Sequence, residues 1–486
     1  MPRRVTSVCT EPSQRRTDAP PPSLKATTMP LHTDRFPLHH VVAFAGTRAT
    51  ARRRWQRCAL VMAMWCVAAP AWAQQQGGDW LHRTRLTGDW HGLRTNWEDA
   101  GIKLISHWQS ESAANLSGGN RKSARYTQQV DLGALLDLGK LAGIEGGMIQ
   151  VVVNDRRGRS LSADVLKNML PVQQLYGGGQ NFRLSELNYQ QALSDGRINL
   201  QLGWSPVGDS YAANPYACYF QNNGLCGKPI GIGQDSGGAH NFPVAQWGGR
   251  IRVTLPHDMY ATAGAYWVNP RASDHDYGWN LSLSRIGTLV PVELGWSPAL
   301  AAGRLPGQYK VGYYYNSTRS PDVFSDVNGG SAGLTRAPFA QHGSRTGYYL
   351  MAIQTLWRGS QDARRSVSTF ATYAKGDPAV APFGHSWEIG AVYQGPFAGR
   401  PDDYLAVAFA SAQINPRIVR FQRDRNLVVP GSVNIQSRES FAEINYSVRV
   451  APWLSVRPDL QYVIRPGGLR NASDALVVGL DTLVTF

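Results

Sequence analysis

"DALVVGLDTLVTF", residues 474–486, ends the chain on a strand pattern. Leu476, Val478, Leu480, Val484 and Phe486 share one parity, interrupted by Thr482, while Asp481 and Thr485 fall on the other. Chain ends are normally polar and frayed. Here the period-2 alternation runs to the last residue, so that end must be buried in a sheet. Segments upstream repeat the pattern. In "WLSVRPDLQYVI" (453–464), Leu454, Val456, Leu460, Tyr462 and Ile464 oppose Arg457, Asp459 and Gln461. In "FAEINYSVRV" (441–450), Ala442, Ile444, Tyr446, Val448 and Val450 oppose Glu443, Asn445, Ser447 and Arg449. In "QWGGRIRVTL" (246–255), Trp247, Ile251, Val253 and Leu255 oppose Arg250 and Arg252.

Sixteen such segments lie between Ile102 and Phe486, separated by Gly, Pro, Asn and Asp clusters. Their connections alternate between tight ones, such as "SDGR" and "LPHD", and long ones, such as 206–245 and 414–436. An even number of alternating strands with short turns on one side and long loops on the other predicts an all-β fold, a 16-stranded antiparallel transmembrane barrel. A soluble sandwich would show the same period, because alternation does not say which face is inside. Three features favour the barrel. There is a signal peptide with no retained helical anchor. Aromatic residues cluster near strand ends (Trp108, Trp204, Tyr266, Trp267, Trp296, Trp357, Trp387, Trp453) as a girdle. Sixteen strands would make a very large sandwich but suit an aqueous pore. Helices are expected at "LTGDWHGLRTNWEDAGI", where Trp90, Leu93 and Trp97 recur at helical spacing, and within "SADVLKNMLPVQQL" (162–175).

The N-terminus reads as an export leader. The basic cluster Arg52, Arg53, Arg54 and Arg57 precedes "CALVMAMWCVAAPAWA" (58–73), an apolar core that is too short to span and ends in an A-x-A site. Cleavage after Ala73 would leave Gln74 first. The expected organisation is therefore residues 1–73 as extension and signal peptide, 74–101 as a helical periplasmic segment, and 102–486 as the barrel. The leader carries +8 of the +15 net charge, and the remaining +7 has no basic run, which excludes nucleic acid as a partner. Cys9, Cys58 and Cys66 belong to the leader, and Trp65 before Cys66 argues against a lipoprotein. Cys218 and Cys226 remain, and an oxidising compartment favours a disulfide between them.

The chain resembles the carbohydrate-selective porins of the OprB type. The resemblance rests on "LTGDWHGLR" (86–94), "FQNNGLCGKP" (220–229), "FPVAQWGGRIR" (242–252), "AYWVNP" (265–270), "PVELGWSP" (291–298), "LPGQYKVGYYYN" (305–316) and "PWLSVRPDLQYVIRPGG" (452–468). The first motif has His91 where the family usually has glycine. The resemblance implies a sixteen-stranded outer-membrane channel favouring sugars, with Phe486 as a signal for the barrel-assembly machinery. Expected partners are small permeating sugars, outer-membrane lipid and that machinery, with a homotrimer as a candidate assembly. No cofactor, metal or catalytic residue is expected.

A passive sugar channel needs donors and acceptors whose hold is weak enough to release. Inward parity nominates Glu186, Asn188, Gln190, Arg250, Arg252, Glu293, Glu443, Arg457, Asp459 and Gln461 as pore-lining residues. The competing classes are a barrel enzyme and a secreted carbohydrate-binding sandwich. "GGSAG" (329–333) fits a nucleophile elbow only in a strand-turn-helix setting. Its surroundings, "SDVN" and "LTRAP", read as loop, and "SDHDYG" (273–278) reads as a solvated loop rather than a cation site.

Overall fold

A computed structural model describes residues 80–226 and 229–486. The expected leader, its cleavage after Ala73 and its three cysteines lie outside the described residues. Among those residues no helix is long and apolar enough to cross a membrane. Strands do the crossing. They are β1 (Ile102–Ser117), β2 (Ser123–Asp137), β3 (Gly147–Gly158), β4 (Phe182–Leu193), β5 (Ile198–Ser205) and β6 (Gln246–Leu255). β7 (Met259–Val268), β8 (Gly287–Trp296), β9 (Leu305–Asn316), β12 (Arg345–Arg358) and β13 (Ser366–Gly376) continue the wall. β14 (Phe383–Gln394), β15 (Tyr404–Ile414), β16 (Arg438–Ala451), β17 (Leu454–Ile464) and β18 (Ala475–Thr485) complete it. Each strand pairs antiparallel with its neighbour, and β18 pairs with β1 to close the ring.

Closure answers the physical problem of strands in lipid, where an unpaired backbone amide has no water to turn to. The parity read from the sequence sets the two faces. On β18, Leu480 is exposed to the outside, while Ala475, Val477 and Asp481 are buried within. The girdle expectation needs correction. Trp296, Trp357 and Trp387 are exposed on the outer wall, but Tyr266 faces inward and is fully buried. Trp204 faces outward yet is covered, because the 269–286 connection folds over it and Trp247 with Leu281.

Two elements in the long connections have no counterpart in the alternation. The hairpin β10 (Ser320–Asp326) and β11 (Phe339–His342) pairs outside the ring. Helix Pro416–Val428 starts at an Asn415 cap and packs Phe421 against Phe339. The expected 162–175 helix is confined to Ser162–Leu166; Lys167 turns left-handed at φ 59° and the chain runs on irregularly.

The segment before β1 is also shorter in helix than expected. Trp90, His91 and Gly92 all have positive φ, so the helix α1 begins only at Leu93 and ends at Asp99. His91 sits at φ 58°, a conformation that glycine adopts freely and other residues adopt at a cost. That accounts for a glycine being usual at this position.

This segment closes a step in the barrel. β18 stops opposite His107, so the first residues of β1 extend past it with an uncovered edge. Phe486 N donates to Ser106 O at 3.1 Å, and Leu86 N donates to Thr485 O at 2.9 Å. Arg85 Nη1 reaches Leu104 O at 3.4 Å, Arg94 Nη1 reaches the terminal Phe486 O at 3.1 Å, and Trp453 Nε1 reaches Trp80 O at 3.0 Å. Arg94 is buried beneath Trp90, 4.2 Å from its ring centre. A hydrogen bond to a charged group contributes about 1.5–3 kcal/mol. Arg94→Ala should therefore lower the temperature at which the folded, fast-migrating form is lost on gels, with the strand content by circular dichroism unchanged. Wild-type heat resistance would show that the seam does not depend on this contact.

Candidate functional site

The barrel interior is the only place where inward parity can put polar side chains together, and much of it is filled. Two long connections, 159–181 and 206–245, fold inward rather than outward. Leu161, Val165, Leu170 and Val172 from the first, and Val207, Tyr211, Phe220 and Leu225 from the second, are all nearly fully buried. They pack in one cluster with inward residues of the wall, including Phe370, Phe383, Ala408, Ala410, Ala412 and Phe441. The inner faces of β12 to β15 are therefore a core, not a water channel. Cys218 and Cys226 are disulfide-bonded inside the second connection and close a small loop at this packed region.

Inward-folded loops bring backbone amides that need acceptors, and the wall supplies carboxylates. Glu443 accepts from Gln221 N at 2.7 Å and Asn222 N at 3.0 Å. Glu439 accepts from Met169 N and Leu170 N, both at 2.7 Å, and from Gly467 N at 2.6 Å. Glu111 accepts from Leu175 N at 3.0 Å. Glu293 accepts from Ala212 N at 2.8 Å and from the hydroxyls of Tyr260 and Tyr349 at 2.8 and 2.5 Å. Arg457 works in the opposite sense, donating to Cys218 O and Tyr404 Oη at 3.0 Å each and pairing with Asp481 at 3.2 Å. Gln461 donates to Val172 O and Asp459 and accepts from Asn222.

The ten nominated residues thus fall into two groups. Glu186, Asn188, Glu293, Glu443, Arg457, Asp459 and Gln461 are buried. Of these, Glu293, Glu443, Arg457 and Gln461 hold loop backbone, while Asn188 donates to Glu186 at 2.7 Å. Gln190, Arg250 and Arg252 remain partly open to solvent. Arg250 donates from Nε to Ser210 Oγ at 2.9 Å and Gln201 Oε1 at 3.1 Å, and from Nη1 to Asn199 Oδ1 at 2.8 Å. Arg252 lies 3.6 Å over the Tyr260 ring, and among the described residues neither arginine has a carboxylate in ion-pair contact. Gln190 donates to Gln150 Oε1 at 3.3 Å. These open groups sit on β4 and β6, across the ring from β12 to β15. The two enzyme lures stay in their loops. Ser331 donates to Asp424 at 2.6 Å rather than to a histidine, and Asp274 and Asp276 are both held by Arg271.

The carbohydrate-selective porin, OprB family profile matches residues 121–486. The chain belongs to that family. It is 36% identical over 416 residues to Porin B of Pseudomonas aeruginosa, covering 82% of this chain and 91% of that protein. The putative porin QuiX of Acinetobacter baylyi is 29% identical over 429 residues, covering 83% of this chain and 93% of QuiX. The high-pH structure of Pseudomonas putida OprB superposes with a TM-score of 0.80 at 33% identity, covering 84% of this chain and all of that one. This porin is an outer-membrane channel for sugars, and the long connections therefore lie on its extracellular side.

The sequence missed Glu111 and Glu439 as porin loop anchors. Glu439 shares the inward parity of its strand with Glu443, and Glu111 lies on the parity of β1 opposite Trp108; the long connection 159–181, whose amides both residues accept, was the signal that carboxylates would be recruited. Breaking one anchor should loosen the plug. Glu443→Ala should raise single-channel conductance and current noise in planar bilayers while the barrel still folds; a conductance trace indistinguishable from wild type would remove Glu443 from that role.

A second anchor depends on pH. Asp235, the last residue of the short helix α2 (Ile230–Asp235), is buried and accepts from Phe383 N at 3.2 Å. Burial pushes its carboxyl from 3.8 up to about 8, opposed in part by the Phe383 amide and by Arg345. A folded-state value above the free one means the docked loop binds the proton more tightly than the released loop. The docked state is then most stable in acid, loses stability as pH rises, and has lost this contribution once pH passes about 8. Conductance should rise between mildly acidic and alkaline buffer in wild type and stay flat in Asp235→Asn. An equal rise in both would assign the effect elsewhere.

Proposed function

We propose that sugars cross the channel along the β4–β6 side and that Arg250 and Arg252 set solute preference there. The observation that carries this reading is the division of the interior: the two arginines and Gln190 keep solvent-facing surface, whereas the other seven nominated residues are buried, four of them holding plug backbone. A charge on the lipid face would cost about 2–4 kcal/mol at the midplane, so inward placement is the inexpensive one. Guanidinium groups present several donors in a fixed fork and suit vicinal hydroxyls of a polyol. The Tyr260 ring beneath Arg252 holds that guanidinium in place and offers an aromatic face beside it. Among the described residues neither arginine has a direct carboxylate partner, so the local field favours anions over cations.

Delivery to the membrane fits the same picture. We infer that residues 1–73 direct export, and that Phe486, at the end of β18, is the feature recognised by the assembly machinery before α1 covers it.

Replacing both arginines, Arg250→Ala with Arg252→Ala, should weaken block of the current by glucose-like sugars and shift the reversal potential toward cation preference. Heat-modifiable migration confirms that the variant folds. A folded double variant with wild-type sugar block and reversal potential would place the selective contacts elsewhere.

A further inference from the structure

The outer wall carries a concave site that sugar transport does not use. Strand register lays Trp296, Tyr309, Ala352, Ala371 and Ile389 side by side in one row across β8, β9, β12, β13 and β14. All five point outward. The row above it places Val311, Leu350, Tyr373 and Trp387 in the same order. Bulky side chains stand at both ends, and two alanines form the floor. The result is a groove of about 640 Å³ between the Trp296–Tyr309 stack, 5.4 Å between ring centres, and the exposed faces of Trp387 and Ile389.

The groove has a charged end. Lys375 lies on the same outward parity of β13, four residues beyond Ala371 and about 13 Å further toward the extracellular side. It is exposed and, among the described residues, its side chain has no hydrogen-bond or ion-pair partner. Asp377, two residues on, has Oδ1 engaged by the Ala379 amide at 2.9 Å. Tyr348 stands level with Lys375 on β12, Tyr373 stands between Lys375 and the groove floor, and His385 stacks on Tyr373 at 5.9 Å, a composition typical of the membrane interface.

We propose that this groove holds an acyl chain of an anionic, phosphate-bearing lipid of the outer leaflet, with Lys375 at its headgroup. The wall lies in hydrocarbon at this level, so an apolar occupant is required, and a lysine above the aromatic belt complements a phosphate. A second barrel is a poorer fit. Two convex walls touch along their ridges and leave a narrow hollow between them empty, whereas a flexible chain fills it.

The test is native mass spectrometry of folded wild type, Lys375→Gln and the groove-filled Ala352→Leu/Ala371→Leu variant. Each is mixed in turn with phosphatidylglycerol, with lipid A, and with net-neutral phosphatidylcholine. Wild type should retain one anionic lipid through detergent activation. Lys375→Gln should lower that retention about fivefold, the effect of one lysine beside an anionic surface, and leave phosphatidylcholine unaffected. The filled variant should lose all three lipids while keeping heat-modifiable migration. Preference for lipid A or for phosphatidylglycerol identifies which phosphate-bearing lipid the site takes. Unchanged retention in the filled variant overturns the proposal, as does equal retention of anionic and neutral lipid by wild type. A fall in oligomer mass on filling, with lipid retention unchanged, would make the groove a contact between copies instead.

Discussion

The rest of this structure depends on one requirement: no backbone amide in the membrane may be left without a partner. An open sheet would fail at its two edges, and β18 meeting β1 removes both. The requirement does not end with the ring. Because β18 stops short of the start of β1, a short edge stays open on the side of the chain termini, and Leu86, Arg85 and Arg94 cover it. It recurs inside the barrel, where the loops that fold inward carry their own amides away from bulk water. There the acceptors are carboxylates on the wall, each holding one or more loop amides. Edge, seam and plug are solutions to the same constraint at three places.

Most of the wall was legible in the sequence because period 2 is a local property. Each of the sixteen expected segments overlaps an observed strand, since a strand bounded by lipid on one side and polar groups on the other must alternate. What lay beyond the alternation was less legible. Helix Pro416–Val428 and the β10–β11 hairpin sit in loops whose patterning is set by contact with each other, as in Phe339 against Phe421 and Arg417 against Asp322. The aromatic girdle was misjudged at Tyr266 for a related reason. Tyr266 lies beside Trp267 in sequence, but adjacent residues on a strand face opposite ways, and only Trp267 is on the outside.

The interior was legible in direction but not in occupation. Parity says that Glu293, Glu443 and Arg457 point inward; it does not say what they meet there. That answer is held by segments hundreds of residues away in sequence, such as Asn222 on Glu443 or Cys218 on Arg457. The apolar inner faces of β13 to β15, with Phe370, Ala374, Ala406, Ala408, Ala410 and Ala412, carried a readable hint. A water-filled lumen has no use for such faces, so apolar residues on the inward parity already imply that something packs against them.

Selectivity follows from how the plug divides the barrel. The inward-folded loops engage Glu111, Glu293, Glu439 and Glu443 and leave Gln190 on β4 and Arg250 and Arg252 on β6 facing solvent. A carboxylate held by loop amides is neutralised locally and fixed in place, so it contributes little to a passing solute. Arg250 and Arg252 are held by neutral groups instead (Ser210, Gln201, Asn199 and the Tyr260 ring) and keep both charge and unused donors. The same loops that narrow the channel therefore decide which side chains are left to act in it. A substitution that frees a loop should alter selectivity as well as width, because it returns a carboxylate to the lumen opposite the arginines.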